Sequence, residues 1–180
     1  VLLLDFDDVV CINSPYGGFD AKLALAQCAV SDGPNYPADL WEKLFDDTAK
    51  ALLARIDREF HPGYVLTSSW WWHFTYEELV DILSRCGLDF VRENLHQNWS
   101  TPKFRRPAPR WVEIARWIDL NPSFARLWVV LDDELSGTGL RGRHPENEAP
   151  FIVLCREDVG LTVVEYVRVR GALARRLGWV

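Results

Sequence analysis

The segment Val1-Leu2-Leu3-Leu4-Asp5-Phe6-Asp7 carries more information about the fold than any other part of the chain. Its first part is a continuous apolar run, which predicts a strand buried on both faces, as in a parallel sheet. The run ends in two carboxylates, Asp5 and Asp7, with a single residue between them. Ligands of an open parallel sheet bind outside the carboxyl ends of its strands, so we expect both side chains at a functional edge of the domain.

Two later segments end in a similar way. Tyr64-Val65-Leu66 is an apolar run that is followed by the hydroxyl side chains of Thr67-Ser68. Leu127–Leu131 is a further apolar run, and the acidic pair Asp132-Asp133 follows it. Together with the first segment, these runs predict parallel strands that bring carboxylates and hydroxyls to one edge of a sheet.

Helical patterns lie between the apolar runs. Apolar side chains recur at helical spacing over Trp41–Phe60, and Pro62-Gly63 predicts the end of that helix. Capping-box patterns predict two further helix starts, at Thr75-x-x-Glu78 and at Thr162-x-x-Glu165. Another helix is predicted from about Pro109, which suits the first turn. This alternation predicts an α/β, Rossmann-like fold with a central parallel five-stranded sheet flanked by helices.

The length of 180 residues predicts a single domain over residues 1–180. Asp89–Val91 is predicted as a short third strand, and Phe151–Leu154 as the fifth strand. Residues 13–39 are rich in Gly, Pro, Asn and Ser. That composition predicts an irregular insertion, or minimal cap, after the first strand.

The acidic residues at the predicted sheet edge need a partner. Several carboxylates in one place repel one another unless a cation lies between them. Oxygen ligands without a nearby His or Cys pattern favour Mg²⁺ over zinc. A bound Mg²⁺ beside hydroxyl and basic side chains is typical of phosphoryl chemistry, in which a carboxylate attacks phosphorus. A second carboxylic acid close by would protonate the leaving oxygen and later activate water.

These segments resemble, in the same order, the motifs of the haloacid dehalogenase (HAD) superfamily. Leu2–Val9 is similar to its first motif, a hydrophobic strand followed by D-x-D. Tyr64–Ser68 resembles the second motif, and Val129–Asp133 the fourth. Within the superfamily, the chain resembles most the small HAD domains of Swiss army knife RNA-repair proteins. The segments that carry this likeness are Thr67-Ser68-Ser69-Trp70, Thr101-Pro102, Arg110 with Glu113-Ile114 and Trp117-Ile118, Leu131-Asp132-Asp133, and Gly160-Leu161-Thr162.

The resemblance implies a Mg²⁺-dependent phosphatase that acts through an aspartyl-phosphate. Asp5 would be the nucleophile and a metal ligand, and Asp7 the general acid/base, with its main-chain carbonyl on the metal. Thr67 would bind the phosphate with help from the main chain of Ser68, and Asp132-Asp133 would complete the metal site. The alternative is a non-catalytic phosphate-binding module on the same fold, which the presence of Asp7 disfavours.

Two basic residues are candidates for steadying the phosphate. Lys103 is of the residue type commoner in the superfamily. Arg110 follows Pro109 at a predicted helix start, at a more usual distance before Asp132-Asp133. A first-turn residue adds the partial positive charge of the helix N-terminus to its own, which slightly favours Arg110. Trp71 stands where the subfamily often has an arginine, so one basic contact has no counterpart there.

Aromatic and basic side chains surround these motifs. The run Trp70-Trp71-Trp72-His73-Phe74 could stack nucleic-acid bases, but we favour packing in the core, where aromatic rings bury most area. A second group is basic and fits a polyanion site and a solvated loop equally well: Lys103, Arg105, Arg106 and Arg110.

The net charge, the cysteines and the lengths of the apolar runs limit which binding partners and locations are expected. The net charge of −6 excludes nucleic-acid binding through the overall field, so any such contact needs a local basic patch. The four cysteines show no C-x-x-C pair, which predicts free thiols and a cytoplasmic location. No apolar run approaches the roughly 18 residues of a membrane span, and no membrane partner is expected. We expect a phosphorylated substrate: a polynucleotide end, a protein phosphate or a small metabolite. The sequence leaves the oligomeric state open.

Overall fold

The computed structural model describes residues 1–28, 36–104, 108–135, 140 and 144–179. Its centre is a five-stranded sheet in which all neighbouring strands are parallel. The strands are β1 (Leu2–Leu4), β2 (Tyr64–Leu66), β3 (Leu95–Ser100), β4 (Val129–Asp133) and β5 (Ile152–Cys155). They lie in the order β3-β2-β1-β4-β5. The predicted Rossmann-like α/β fold is therefore confirmed.

Helices flank the sheet on both faces. Those in the described chain are α1 (Gly18–Cys28), α2 (Leu40–Lys43), α3 (Asp47–Phe60), α4 (Tyr76–Arg85), α5 (Asp89–Glu93), α6 (Arg110–Leu120) and α7 (Val163–Leu177). Both predicted capping boxes are present, at the starts of α4 and α7. The segment predicted as a cap contains α1, and its residues 29–35 lie outside the described ranges. No helix in the described chain has the length and apolar character needed to cross a bilayer.

The central strand β1 pairs with β2 on one side and with β4 on the other. All three of its leucines are fully buried. Leu3 packs on the face covered by Ile114 and Trp117 of α6. Leu2 and Leu4 point to the opposite face, which α3, α4 and α7 cover. A strand covered on both faces needs apolar side chains at every position, which is why β1 reads as an unbroken apolar run.

The prediction of a third strand at Asp89–Val91 is wrong. These residues belong to α5, and β3 follows at Leu95–Ser100. Leu88 and Val91 are both fully buried, and their spacing of three is that of one helix face. β3 lies at the edge of the sheet and is only partly buried, so its sequence Leu-His-Gln-Asn-Trp-Ser has no apolar run to mark it.

The single helix predicted over Trp41–Phe60 is in fact two helices, α2 and α3. Between them, Asp46 has extended backbone angles (φ −61°, ψ 131°), which end one helix before the next begins. Its carboxylate accepts a hydrogen bond of 2.8 Å from the amide of Ala49 and so caps α3. The amide of Asp46 donates to the carbonyl of Val10 at 2.8 Å. This bond ties the start of α3 to the loop that follows β1.

Candidate active site

The carboxyl ends of β1, β2 and β4 meet at one edge of the sheet. The amide of Asp5 donates to the carbonyl of Leu131 at 3.0 Å. The amide of Thr67 donates to the carbonyl of Leu4 at 2.9 Å. These bonds extend the parallel pairing one residue beyond β1 and β2. The acidic pair Asp132-Asp133, which we predicted to follow the strand, forms the last two residues of β4 instead. The register of the sheet thus places Asp5 between Thr67 and the acidic pair.

Three of the predicted metal ligands form a compact cluster. Asp5, Asp132 and Asp133 each offer a carboxylate oxygen, and these oxygens all lie within 4.8 Å of one another. None of the three residues is more than 1% exposed. A donor set made only of carboxylate oxygens is what Mg²⁺ prefers. The chemistry of the cluster therefore fits the predicted Mg²⁺.

Arg110 reaches this cluster from the first turn of α6. One terminal nitrogen of its guanidinium lies 3.2 Å from Asp5 Oδ2, and its Nε lies 3.2 Å from Asp132 Oδ2. The other terminal nitrogen is 3.6 Å from Glu113 Oε2, one helical turn along α6. The Arg110 side chain is only 11% exposed. The guanidinium is therefore held on three sides by carboxylates, and Glu113 is a site residue to which we gave no role from the sequence.

Lys103, the other candidate, takes a different place. Its ammonium lies over the rings of Trp71 and Trp72, at 4.9 and 5.5 Å from their centres. The structure thus brings Arg110, and not Lys103, against the carboxylate of Asp5. Arg105 and Arg106, from the same basic stretch, lie outside the described residues.

The buried carboxylates perturb one another. Burial is the largest cause that raises the pKa of Asp5 well above its usual range; the nearby Asp132 adds to the rise, and Arg110 opposes it. Burial also raises the pKa of Asp132, again against the pull of Arg110. Both effects arise because ionised carboxylates lose hydration and repel each other. A divalent cation between them would favour the ionised forms that nucleophilic attack requires.

Asp7 lies beside the cluster and is held by its own partners. The indole N–H of Trp70 donates to Asp7 Oδ1 at 2.9 Å, and the hydroxyl of Ser69 donates to Oδ2 at 3.4 Å. Burial raises the pKa of Asp7, and the hydrogen bond from Trp70 opposes that rise. The neighbouring Asp8 has a structural role, because its carboxylate accepts the amide of Asp158 at 3.0 Å. The hydrogen bonds from Ser69 and Trp70 show that the segment after β2 orients the carboxylate of Asp7.

That segment also contains the two predicted phosphate-binding residues. Thr67 is fully buried, and its Oγ1 makes no hydrogen bond to any described residue. A buried hydroxyl without a partner is uncommon, and this one lies beside Asp5 at the edge of the sheet, so it is free to donate to a ligand. The Ser68 hydroxyl accepts the amide of Trp70 at 3.3 Å and so caps a short 3₁₀ helix, Ser69–Trp72. Its side chain therefore holds the loop, and its role toward phosphate stays a prediction.

The aromatic run after Ser68 packs mainly in the core. Trp70, Trp71 and Phe74 are between 3% and 6% exposed, which confirms the interpretation that we favoured for them. Trp72 is 41% exposed. The part that we missed is the hydrogen bond from Trp70 to Asp7. The sequence signal for it is weak: a tryptophan shortly after the residues that end β2, with no indication of which acceptor its N–H meets.

We predict that Mg²⁺ stabilises this protein against heat through the carboxylate cluster. At about 100 times its dissociation constant, a ligand of the folded state raises Tm by roughly 5–10 °C for a domain of this size. Asp132→Asn should abolish most of the rise, whereas Asp119→Asn, an exposed carboxylate on α6, should leave it intact. Differential scanning calorimetry with and without Mg²⁺ measures both. An equal rise in the Asp132 variant would place the ion elsewhere.

The family comparison agrees with this geometry. Residues 1–165 of the chain match the family model of the HAD domain in Swiss Army Knife RNA repair proteins. No curated protein and no solved structure shows significant similarity to the chain. The match covers the sheet, the acidic cluster and Arg110, which are the features from which the resemblance was inferred. The chain therefore belongs to the HAD superfamily, in the family of HAD domains found in Swiss Army Knife RNA repair proteins.

Proposed function

We propose that this protein is a Mg²⁺-dependent phosphomonoester hydrolase that acts through an aspartyl-phosphate on Asp5. One observation carries the proposal. Asp5 is buried in contact with Arg110 and with the acidic pair of β4, while Asp7, two residues on, keeps its carboxylate beside an open cavity. A nucleophile with a cation and metal ligands on one side, and an acid/base on the other, is the arrangement that phosphoryl transfer requires.

Each residue then has a defined task. Mg²⁺, when bound by Asp5, Asp132, Asp133 and the main-chain carbonyl of Asp7, would neutralise the negative charge of the phosphate. Asp5 attacks phosphorus, and the bond to the leaving oxygen breaks as Asp7 gives that oxygen a proton. Asp7 then takes a proton from water, which attacks the aspartyl-phosphate and releases inorganic phosphate from Asp5.

Two groups hold the phosphate during both steps. Arg110 faces the attacking carboxylate and steadies a phosphate oxygen, because the transferring group stays negative throughout. The buried Thr67 hydroxyl, with the main chain of Ser68, donates to another. These side chains are positioned before substrate arrives, by the sheet and by α6. Little reorganisation is therefore needed at the moment of reaction.

We further propose a phosphorylated polynucleotide end as the substrate, because the family is described as a domain of RNA repair proteins. Because the net charge is −6, such a substrate would be held by local groups rather than by the overall field. We also propose a reducing, cytoplasmic location, since Cys11, Cys86 and Cys155 are buried free thiols.

We predict that Asp5→Asn abolishes turnover of a phosphomonoester and leaves the fold intact. The amide has no anionic oxygen with which to attack phosphorus. Asp8→Asn is the matched control, because it removes a charge from the same loop and keeps the oxygen that accepts the Asp158 amide. Phosphate release in steady state, with circular dichroism for folding, measures both variants. Full activity of the Asp5 variant would overturn the mechanism.

We predict that Arg110→Ala loses far more kcat than Lys103→Ala. The Arg110 guanidinium lies against Asp5, whereas the Lys103 ammonium lies over the rings of Trp71 and Trp72. Removing one preorganised group that stabilises the transition state lowers kcat by about 10²- to 10³-fold. Steady-state kinetics of both variants with Mg²⁺ gives the ranking. The reverse ranking would assign the phosphate-steadying role to Lys103.

We predict that Trp70→Phe lowers kcat by roughly tenfold or more, because Asp7 loses the donor that orients it. Trp71→Phe is a close control: Trp71 is buried to a similar degree, and its indole nitrogen makes no hydrogen bond to a described residue. Kinetics and Tm of both variants separate orientation from packing. Equal losses of kcat in the two variants would show that only packing matters.

A further inference from the structure

A cavity of about 400 Å³ opens beside Asp7, and the roles assigned so far do not explain its walls. Its apolar walls include Phe19, Trp70 and Phe74. The polar residues that line it are Asp7, Asn13, Lys22, Ser69 and His73. Cavities of about 300–1,000 Å³ that combine apolar walls with a few polar groups are typical sites for small organic ligands.

The position of the cavity relates it to the leaving group. Asp7 must lie within hydrogen-bond reach of the oxygen that it protonates. In the proposed mechanism the phosphate would lie against Asp5 and Arg110, and in-line attack by Asp5 would place the leaving oxygen on the far side of phosphorus, toward Asp7. The cavity lined by Asp7 is the space that the group attached to this oxygen would enter.

The glycine at the start of α1 brings this helix close to the cavity wall. A Cβ atom at Gly18 would lie 2.9 Å from the Trp70 ring, closer than side chains pack. The glycine therefore lets α1 approach the tryptophan that orients Asp7. The next residue, Phe19, also lines the cavity and is 75% exposed. Its ring is thus accessible to a ligand in the cavity that Asp7 also lines.

Lys22 lies one turn further along α1 and is held at the cavity. Its ammonium is 3.5 Å from Glu78 Oε1 and 5.1 Å from the centre of the Phe74 ring. A positioned donor next to aromatic walls suits a planar ring that carries polar acceptors. The hydroxyls of an aliphatic polyol could accept hydrogen bonds from the ammonium of Lys22. Such a ligand would make little apolar contact with the aromatic rings of the cavity.

We propose that this cavity is the leaving-group subsite, and that it selects phosphomonoesters whose leaving group carries a planar aromatic ring. Phe19 is the specificity-determining residue, since stacking of such a ring on it stabilises the bound ester. The proposal rests on the proposed function, because it uses Asp7 as the group that protonates the leaving oxygen.

The test compares adenosine monophosphate with ribose phosphate esterified at the same hydroxyl, in the presence of Mg²⁺. The two esters share their leaving oxygen and differ in the base, so the ratio of their kcat/KM values reports on the subsite alone. Base stacking predicts a preference of about tenfold or more for the nucleotide in the wild type. Phe19→Ala and Phe19→Leu should both lower this ratio toward one, because leucine keeps apolar area but removes the ring.

Leu23→Ala is the control, because Leu23 lies on α1, is 45% exposed and is not a wall of the cavity. It should keep the wild-type ratio. A wild type without preference, or a ratio that Phe19→Ala leaves unchanged, would overturn the subsite. Hydrolysis of neither ester would count against the proposed function. In that case, calorimetric titration of adenosine into the wild type and the Phe19→Ala variant decides on the subsite, and equal isotherms would overturn it.

Discussion

The burial of Asp5 beside Asp132, with the guanidinium of Arg110 against both, is the interaction on which the rest of the site depends. Removing a carboxylate from water costs on the order of several kcal/mol, which only good partners offset. Arg110 supplies part of that compensation, and it does so from a helix on one face of the sheet. The contacts of Arg110 with Asp5 and Asp132 therefore join α6 to β1 and β4, and they fix where the site lies in the fold.

A second set of contacts joins the site to the opposite face of the sheet. Trp70 donates to Asp7, packs in the large core, and meets the start of α1 at Gly18. Thr67 and Ser68, which we propose to hold phosphate, and Trp70, a wall of the cavity beside Asp7, belong to the same segment after β2. Arg110 comes from α6, whereas the cavity residue Phe19 comes from α1. Asp5, which contacts Arg110, and Asp7, which lines the cavity, both follow the central strand. If the proposed subsite holds, a change in α1 would alter substrate preference without touching the acidic cluster.

Strands could be predicted from the sequence where both faces are buried, because only apolar side chains are accommodated there. β1, β2 and β4 are covered on both faces, so they appear as apolar runs, and the polar residues at their ends could be identified. β3 was missed because an edge strand tolerates polar side chains. The break at Asp46 was missed because its apolar neighbours keep helical spacing. The choice between Lys103 and Arg110, and the bond from Trp70 to Asp7, depend on how loops pack, which local patterns do not record.

In the proposed mechanism, the phosphoryl group is transferred first to Asp5 and only then to water. The stereochemistry at phosphorus tests this order most directly, through hydrolysis of an isotopically chiral phosphorothioate monoester in labelled water. Two successive in-line displacements, the first by Asp5 and the second by water assisted by Asp7, each invert phosphorus. The account therefore predicts net retention of configuration. Net inversion would mean that water attacks the substrate directly, and would contradict a covalent role for Asp5.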